Sequence, residues 1–397
     1  MEDICLAGGG IGGLTAALAL GQQGIHTTLL EQADLFLEVG AGIGLGPNAL
    51  RRLQSFGLGP SLRQRGFIPD KLEVRRASDA VHLGSLPMAE QFERRYGAPY
   101  MTIHRADLHK ALLDAVQAQG TADLQLATRV TAVHTSATGV QLTLQNKGLP
   151  TTDVCTTALI ATDGVDSAVR RQLWGDVGVQ ASGHWAYRTL MPRHLLPAVW
   201  STDSMGLWLG ERLHVVHYPV SGGEWLNLVV LLESDERADA PGWDHQRSPE
   251  QTQQDLRRAL QGCHGRLQDL VRTAEHWRTW ALFDRQPLRS AQDMVQGRVA
   301  LLGDAAHPML PYLAQGAGMA IEDAQALAHG WQAVSQSPEQ RLAAYARARW
   351  QRVRRVQQRA RQNARLFHAS GHVAQFRDWG LQWGGAWVMD MPWLYGH

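Results

Sequence analysis

Three glycines near the start of the chain could hold a phosphate-containing ligand. Gly8, Gly10 and Gly13 form the pattern G-x-G-x-x-G, in which the missing side chains let backbone amides reach a pyrophosphate. Glu31 follows at about the 20-residue spacing expected of a carboxylate that binds a ribose hydroxyl. A glycine turn used only for packing would not require this acidic residue. The pattern therefore predicts a dinucleotide site and leaves the choice between FAD and NAD(P) open.

A strand, a turn and a helix must position these residues. Residues 3–7 (DICLA) are predicted to form a short buried strand, residues 14–24 (LTAALALGQQG) a helix, and residues 26–30 (HTTLL) a second strand that ends at Glu31. The N-terminus of a helix carries partial positive charge, so this helix would point that charge at the pyrophosphate.

A second glycine-rich segment follows another predicted strand, residues 299–302 (VALL). Open sheets bind ligands at the carboxyl ends of their strands, so Asp304 is well placed to bind a sugar or ribityl hydroxyl. Gly316 and Gly318 then begin a predicted helix whose amide-rich N-terminus favours negative charge. The chain thus has two glycine-rich loops, each followed by a helix.

Two histidines lie on one predicted strand, residues 212–219 (RLHVVHYP). Strand periodicity places His214 and Tyr218 on one face and His217 on the other, so only one histidine can face a bound ligand. A neutral histidine near pH 7 is suited to removing a proton. The alternative is that either histidine is an ordinary core residue.

The composition describes a globular protein without a strong field. The chain has 397 residues, is 44% hydrophobic and 19% charged, and carries a formal charge of +1, so we expect no nucleic acid partner. Cys5, Cys155 and Cys263 are far apart and form no C-x-x-C pair, which predicts neither a metal site nor disulfides and favours a cytoplasmic location. No apolar run reaches about 18 residues, so we expect no export and no membrane span.

The chain resembles the group A FAD-dependent aromatic hydroxylases, which are single-component flavoprotein monooxygenases. Three separated motifs carry this resemblance: GGGIGG with Glu31, ATDGVDSAVRR (residues 161–171) and GDAAHPM (residues 303–309). HRADLHKALL (residues 104–113) also matches a family helix, whose arginine is Arg105 here. The motifs occur in the family's order over nearly the whole chain.

The resemblance implies FAD as the cofactor, with one glycine loop at its pyrophosphate and the other facing its ring. Asp163 is expected to assist both FAD and NAD(P)H binding; the alternatives are that Asp163 only ends a strand and that Arg105 only faces solvent. The residues expected around FAD are Gly8, Gly10, Ile11, Gly13, Glu31, Gly42, Arg105, Val130, Asp163, Asp304, Gly316, Ala317, Gly318 and Met319.

The implied fold class is α/β with an α+β second lobe. It comprises a Rossmann-like FAD-binding domain, an interleaved antiparallel-sheet substrate domain and a C-terminal helical segment. The FAD-binding domain is expected at 1–71, 101–173 and 295–340, the substrate domain at 72–100 and 174–294, and the helical region at 341–397. The alternating strands around a turn at Gly222 and Gly223 support the second lobe.

Within the family, the chain is most similar to the 3-hydroxybenzoate 6-hydroxylases, through segments such as GAGIGLGPNA, RYGAPYMTIHRADLH, LHVVHYP and PWLYG. This implies that NADH or NADPH reduces FAD, that dioxygen forms a flavin C4a-hydroperoxide, and that 3-hydroxybenzoate becomes gentisate. The resemblance makes His214 the catalytic base. The expected substrate pocket is formed by Arg188, Tyr218, Pro308, Pro311, Tyr312 and Leu313.

Two positions depart from related patterns. Pro311 stands where the 3-hydroxybenzoate enzymes have a glutamine proposed to contact substrate, and Gly44 stands where the 6-hydroxynicotinate enzymes have a histidine. The alternatives are therefore a decarboxylating salicylate 1-hydroxylase or a hydroxylase of another phenolic or heteroaromatic acid. Two rival classes are an FAD-dependent dehydrogenase or reductase that inserts no oxygen, and a non-catalytic flavin-binding protein.

The tail is rich in arginine and then in tryptophan. Residues 341–367 are predicted to form a solvated helix, and no nucleic-acid-binding fold accompanies its charge. Trp379, Trp383 and Trp387 recur every four residues and would form one stripe on a helix. We expect this stripe to pack against the protein or against a second subunit in a homodimer.

Overall fold

The computed structural model describes residues 3–36, 41–175, 179–200, 203–235 and 247–396. Its strands are β1 (Ile4–Ala7), β2 (Thr27–Leu30), β3 (Gly42–Leu45), β4 (Lys71–Arg76), β5 (His82–Pro87), β6 (Met101–His104), β7 (Ala122–Gln125), β8 (Thr128–Thr135), β9 (Val140–Asn146), β10 (Thr152–Thr156), β11 (Ala158–Ala161), β12 (Gln180–Pro192), β13 (Met205–Gly210), β14 (Leu213–Val220), β15 (Trp225–Glu233), β16 (Arg278–Asp284), β17 (Val295–Gln296) and β18 (Val299–Leu301). Its helices are α1 (Ile11–Gly21), α2 (Pro47–Ser55), α3 (Gly59–Arg65), α4 (Glu90–Tyr96), α5 (Arg105–Gln119), α6 (Ala168–Trp174), α7 (Pro249–Ala259), α8 (Gly265–Thr273), α9 (Gly316–Trp331), α10 (Pro338–Phe367), α11 (Gly371–Met389) and α12 (Pro392–Tyr395).

A six-stranded sheet with the order β17-β18-β11-β1-β2-β7 forms the first layer. All of its pairings are parallel except β17 with β18. Every residue of β1 and β11 is buried, as expected for central parallel strands covered on both faces. The strand–turn–helix predicted around the first glycine loop is confirmed, as is the strand that ends at Glu31.

A seven-stranded sheet with the order β16-β12-β15-β14-β13-β4-β5 forms the second lobe. It is antiparallel except between β13 and β4. One face packs against α7 and α8 through a core that includes Trp208, Val215 and Leu267. The turn at Gly222 and Gly223 is confirmed, with φ of 65° and 92°. The predicted α/β class with an interleaved antiparallel lobe is confirmed, whereas the domain boundaries stay a proposal.

The arginine-rich helix α10 differs from the solvated helix that we expected. Arg341 and Arg349 are only 3% and 5% exposed. The guanidinium of Arg349 binds the carboxylates of Glu322 and Asp323 on α9, each at 2.7 Å, and Arg352 also binds Glu322. These acidic partners neutralise one face of α10, so this face packs inside the protein.

The predicted tryptophan stripe is only partly formed: Trp379 and Trp383 lie on one helical stretch of α11, but the backbone is non-helical at Gly385 (φ 46°, ψ −133°), so Trp387 lies beyond a kink. Trp379, Trp383 and Trp387 are 60%, 78% and 87% exposed. The Trp379 and Trp383 rings lie 5.9 Å apart and contact one another. Packing of this stripe against a second subunit stays a prediction. Among the described helices, none is both long and apolar enough to cross a membrane.

Candidate active site

The predicted cofactor residues meet at one edge of the six-stranded sheet. Ala7, Ala161 and Leu301 are in register on the neighbouring parallel strands β1, β11 and β18, and β2 lies on the other side of β1. The segments after these strands therefore emerge together at the carboxyl edge, where open sheets bind ligands. This edge brings together the two glycine loops, Glu31, Asp163 and Asp304.

The first glycine loop is packed too closely for side chains. A Cβ atom on Gly8 would lie 2.5 Å from the carbonyl oxygen of Thr162, and Gly8 has a φ of +115°. A Cβ atom on Gly13 would lie 1.9 Å from the carbonyl oxygen of Gly8. Gly10 precedes α1, which begins at Ile11, and no side chain caps this helix. The loop thus leads into an uncapped helix N-terminus, which is the kind of site that binds a pyrophosphate.

Glu31 is held beside this loop. One carboxylate oxygen accepts a hydrogen bond from the Gly9 amide at 2.7 Å, and the other accepts one from the Ala33 amide at 2.8 Å. Each carboxylate oxygen can accept more than one hydrogen bond. The side chain is therefore fixed in position and retains acceptor sites for a ribose hydroxyl.

One carboxylate oxygen of Asp163 can accept a hydrogen bond from a ligand. Its Oδ2 accepts a hydrogen bond from the Val169 amide at 3.2 Å, whereas its Oδ1 is buried without a hydrogen-bond partner among the described residues. Burial raises the pKa of this carboxyl group. Buried polar atoms are normally satisfied, so Oδ1 points to a ligand. Arg105 is the first residue of α5 and is half-buried.

The second glycine loop lies beside Asp304. Asp304 is exposed, and a Cβ atom on Gly316 would lie 4.0 Å from its Oδ1. Helix α9 begins at Gly316 and contains Ala317, Gly318 and Met319 in its first turns. The helix has no side-chain cap and no acidic residue in its first turn. Its N-terminus can therefore stabilise negative charge on a ligand.

Gly42 and Val130 are the two other residues that were predicted to lie near the cofactor. The Gly42 amide donates to Asn227 Oδ1 and its carbonyl accepts from the Tyr218 hydroxyl, both at 2.7 Å, so this position joins β3 to the substrate sheet. Val130 lies on β8 opposite Leu144 in a three-stranded sheet and is buried.

One face of the substrate sheet carries the predicted catalytic side chains. Val229 pairs with Arg188 on one side and with Val216 on the other, so these residues form one rung across three strands. His214 and Tyr218 flank Val216 on β14 and share its face. Sheet pairing thus places Arg188 and His214 on a common face, across two strand spacings of about 5 Å each.

Arg188 has an unusual environment for an arginine. Its Nε atom is buried without a hydrogen-bond partner among the described residues, and its guanidinium lies 5.3 Å from the centroid of the Trp280 ring. Burial lowers the pKa of Arg188, and the charge of Arg105 lowers it further. A half-buried guanidinium whose Nε has no partner among the described residues fits an anionic ligand.

The segment that precedes α9 closes over the same face. The Tyr312 ring lies 4.8 Å from the His214 ring, and Pro308 accepts a hydrogen bond from Gln357 at 3.3 Å. Pro311 is half-buried, whereas Leu313 packs in the large core around the six-stranded sheet. Tyr312 is thus the member of this segment that directly contacts the predicted base.

The two strand histidines have different surroundings. His217 lies on the opposite face, where the Trp208 indole donates to its Nε2 at 3.2 Å, and burial lowers its pKa to about 4. His217 is therefore a core histidine. His214 is also buried, and burial together with His368 and His184 lowers its pKa well below the usual value. His214 is consequently neutral at neutral pH.

Sequence reasoning missed several residues around this face. His184, Glu233 and His368 cluster beside Tyr312 and His214, and Asn227 anchors Gly42. Asn227 is a polar residue within the otherwise apolar start of β15, and this break in the pattern could have indicated a functional position. His368 follows the long helix α10, and no periodicity relates it to β14.

Known proteins match the whole chain. A family model described as an FAD binding domain matches residues 1–360. The 3-hydroxybenzoate 6-hydroxylase of Polaromonas naphthalenivorans (strain CJ2) is 35% identical, over 99% of this chain and 95% of its own length. A 3-amino-4-hydroxybenzoate 2-monooxygenase of Streptomyces platensis is also 35% identical, over 99% and 95%. The crystal structure of Klebsiella pneumoniae HpxO with FAD and uric acid superposes with a TM-score of 0.85 at 24% identity, covering 98% and 94% of the two chains, and so shares the fold.

Proposed function

The chain belongs to the FAD-dependent aromatic hydroxylases, and we propose that it hydroxylates a phenol that carries a carboxylate, specifically 3-hydroxybenzoate to gentisate. As a member of this family it is a monooxygenase that uses FAD, NAD(P)H and dioxygen. The observation that carries the substrate proposal is the common face shared by Arg188 and His214. A half-buried cation and a neutral imidazole match the two ionisable groups of a hydroxybenzoate.

The residues at the sheet edge fit FAD. We assign the pyrophosphate to the first glycine loop, an adenosine ribose hydroxyl to Glu31, and ribityl hydroxyls to Asp304 and Arg105. We assign the isoalloxazine to the N-terminus of α9, and propose that Asp163 supports FAD and NAD(P)H binding through its unsatisfied oxygen. When bound, the reduced flavin supplies activated dioxygen, from which one oxygen atom is transferred to the ring.

The protein's own groups then have separate tasks. The Arg188 guanidinium binds the carboxylate and fixes the ring in one orientation. His214 removes the phenolic proton, which makes the ring more electron-rich towards an electrophilic oxygen. Tyr218 donates its hydrogen bond to Gly42 and so holds the wall between the substrate sheet and the flavin loop. Tyr312 and the neighbouring prolines exclude water from the reacting ring.

A second candidate is a decarboxylating salicylate 1-hydroxylase. Pro311 supplies neither a side-chain amide nor a backbone donor, so the ring could turn to present a different carbon to the flavin. A 6-hydroxynicotinate specificity is disfavoured, because Gly44 stands where those enzymes have a histidine, and a Cβ atom at this position would lie 2.0 Å from the Tyr100 hydroxyl. A histidine at residue 44 would therefore require Tyr100 to move.

Product analysis tests this assignment. FAD-loaded protein is given NADH or NADPH with either 3-hydroxybenzoate or salicylate, and the products are identified by mass spectrometry while peroxide is measured. Gentisate with little peroxide supports the proposal. Catechol and carbon dioxide from salicylate would transfer the enzyme to the second candidate. Nicotinamide oxidation that yields only peroxide from both acids would refute both substrates.

Two further properties stay predictions. A homodimer would cover the exposed tryptophans of α11, and light scattering of the purified protein would give its oligomeric state. The cytoplasmic location inferred from cysteine usage is tested by cell fractionation.

A further inference from the structure

A row of hydrogen bonds leads from the predicted base to the protein surface. His214 Nδ1 lies 2.8 Å from His368 Nε2, and His368 Nδ1 lies 3.2 Å from Glu233 Oε1. His214 and His368 are buried, whereas the side chain of Glu233 is 33% exposed. The row therefore connects the buried face of the substrate sheet to solvent through two imidazoles and one carboxylate.

The carboxylate fixes the tautomers along this row. An ionised carboxylate only accepts hydrogen bonds, so Nδ1 of His368 carries a proton and donates it to Glu233. A neutral His368 then accepts at Nε2, and His214 must donate from Nδ1. Consequently the Nε2 atom of His214 has a free lone pair, and no hydrogen bond from the described residues reaches it. His214 is thus oriented as a base by two residues outside the pocket.

The charges around the row oppose retention of a proton on His214. His368 and His184 are basic neighbours, Tyr312 and Phe367 pack on its ring, and burial disfavours the imidazolium. Burial lowers the pKa of His368, the hydrogen bond and charge of Glu233 act in the opposite direction, and the charge of Arg377 lowers the pKa further.

At the outer end, the hydrogen bond from His368 lowers the pKa of Glu233. Glu233 also faces Arg212, whose Nε lies 3.8 Å from Oε2. The row therefore ends in an ionised carboxylate near the surface.

We propose that His214, His368 and Glu233 form a proton relay that carries the phenolic proton of the substrate to solvent. This inference rests on the proposed function. The phenolic O–H bond breaks and a bond forms to His214 Nε2, while the Nδ1 proton of His214 moves to His368 Nε2. The Nδ1 proton of His368 moves to Glu233 and then to water. Return of a proton along the same path when the product phenol forms resets both tautomers. His368 and Glu233 are positioning residues, because they act through His214.

A metal site is a weaker interpretation of the same residues. His184, Glu233 and His368 place their ligand atoms within 4.8 Å of one another. However, both ring nitrogens of His368 are already engaged in hydrogen bonds, and the Tyr312 hydroxyl lies 2.6 Å from His184 Nδ1. A metal ion would have to replace these contacts.

Proton release provides a direct test. Oxidised, FAD-loaded protein in weakly buffered solution with a pH indicator is mixed with 3-hydroxybenzoate in a stopped-flow instrument, and the phenolate absorbance is recorded as well. We expect the wild type to release a proton as the phenolate appears. His368→Gln and Glu233→Gln should each slow both signals at least tenfold, and added imidazole should partly restore the rate in His368→Gln. Affinity for benzoate, which has no phenolic proton, should remain within twofold.

Matched controls distinguish loss of the relay from a general loss of charge or of folding. His372→Gln removes an exposed histidine of α11 and should release protons like the wild type. The amount of bound flavin and the melting temperature verify that each variant is folded. Because Glu233 is partly exposed, Glu233→Gln should disturb folding less than His368→Gln. Wild-type release rates in both relay variants would overturn the relay, and so would slower release after treatment with a chelator.

Product analysis of the wild type separates the two failures. Hydroxylated product from the wild type with unaffected variants refutes only the relay. No hydroxylated product from any phenolic acid, together with no proton release, refutes the proposed function and the relay with it.

Discussion

The Glu31 carboxylate accepts a hydrogen bond from the Gly9 amide at 2.7 Å, so the residue that follows β2 directly holds the loop between β1 and α1. The side chain therefore positions the loop that we assign to the pyrophosphate and presents its charge to the assigned ribose.

Glu31→Gln is predicted to weaken FAD binding. A hydrogen bond to a charged group contributes about 1.5 to 3 kcal/mol, which corresponds to roughly ten- to hundredfold in the dissociation constant. Flavin fluorescence during titration of apoprotein with FAD measures this change. Asp34→Asn, which removes only an exposed ion pair with Lys147, should leave the dissociation constant within twofold. Equal affinity of Glu31→Gln and wild type would remove Glu31 from the site.

Gly13→Ala is predicted to disrupt both the loop and FAD binding. The new Cβ atom would lie 1.9 Å from the Gly8 carbonyl oxygen, and relief of such a backbone contact should cost about 1 to 3 kcal/mol of unfolding free energy. Chemical denaturation of the apoprotein measures it. Gly380→Ala on α11, where nothing lies within 4 Å of the added atom, should be neutral or stabilising. A fully stable, FAD-binding Gly13→Ala protein would contradict the packing described.

The fold was largely predictable from the sequence, and the cofactor edge with it. The strands before Gly8 and Asp304 are short apolar runs bounded by glycine, and the alternation in β14 correctly separated His214 from His217. Local patterns of this kind determine which residues follow a strand and which face they occupy.

The features that the sequence did not predict depend on contacts between residues that are far apart in the chain. His368 is 154 residues from His214, and Arg349 on α10 is neutralised by Glu322 and Asp323 on α9. Charge counts along one helix cannot reveal partners on another. For the same reason the spacing of Trp379 and Trp383 on α11 was predictable, whereas their exposure and the kink at Gly385 were not.

Arg188→Gln is predicted to raise KM for the carboxylate substrate about 30- to 100-fold, since loss of a buried charge partner costs a few kcal/mol. For 3-hydroxybenzamide, which lacks the charge, the variant and wild type should differ by less than about threefold. Steady-state kinetics with both compounds measure this difference. The matched control is Arg278→Gln. Arg278 is exposed and lies opposite Arg188 on the neighbouring strand β16. An equal loss for acid and amide would mean that Arg188 does not bind the carboxylate.

Glu322→Gln is predicted to destabilise the protein by about 3 to 5 kcal/mol, because it removes a partner from buried arginines. Burial alone would raise the pKa of Glu322, but ion pairs with Arg352 and Arg349 outweigh it and hold the pKa at about 2. Denaturant unfolding of the apoprotein measures the loss. Glu90→Gln, which breaks an exposed pair with Arg94, should change stability by less than about 1 kcal/mol. Similar small losses in both variants would show that the buried ion pairs contribute little.

Acid should destabilise the protein in part through His217. Its pKa is about 4 in the folded protein and about 6.5 when unfolded, so the unfolded chain binds the extra proton between these values. The contribution of His217 is therefore fully present above about pH 6.5 and is lost as the pH falls towards 4, at up to about 1.4 kcal/mol per pH unit. The free energy of unfolding of His217→Gln should fall less steeply over this interval. Parallel curves for variant and wild type would contradict the assignment.

Incorporation of labelled oxygen into the product tests the proposed hydroxylation most directly. FAD-loaded protein is supplied with NADH or NADPH, 3-hydroxybenzoate and ¹⁸O₂, and the aromatic product is analysed by mass spectrometry. We predict gentisate with one ¹⁸O atom in its new hydroxyl group. An oxidised product without the label, or nicotinamide oxidation that yields only labelled peroxide, would contradict it.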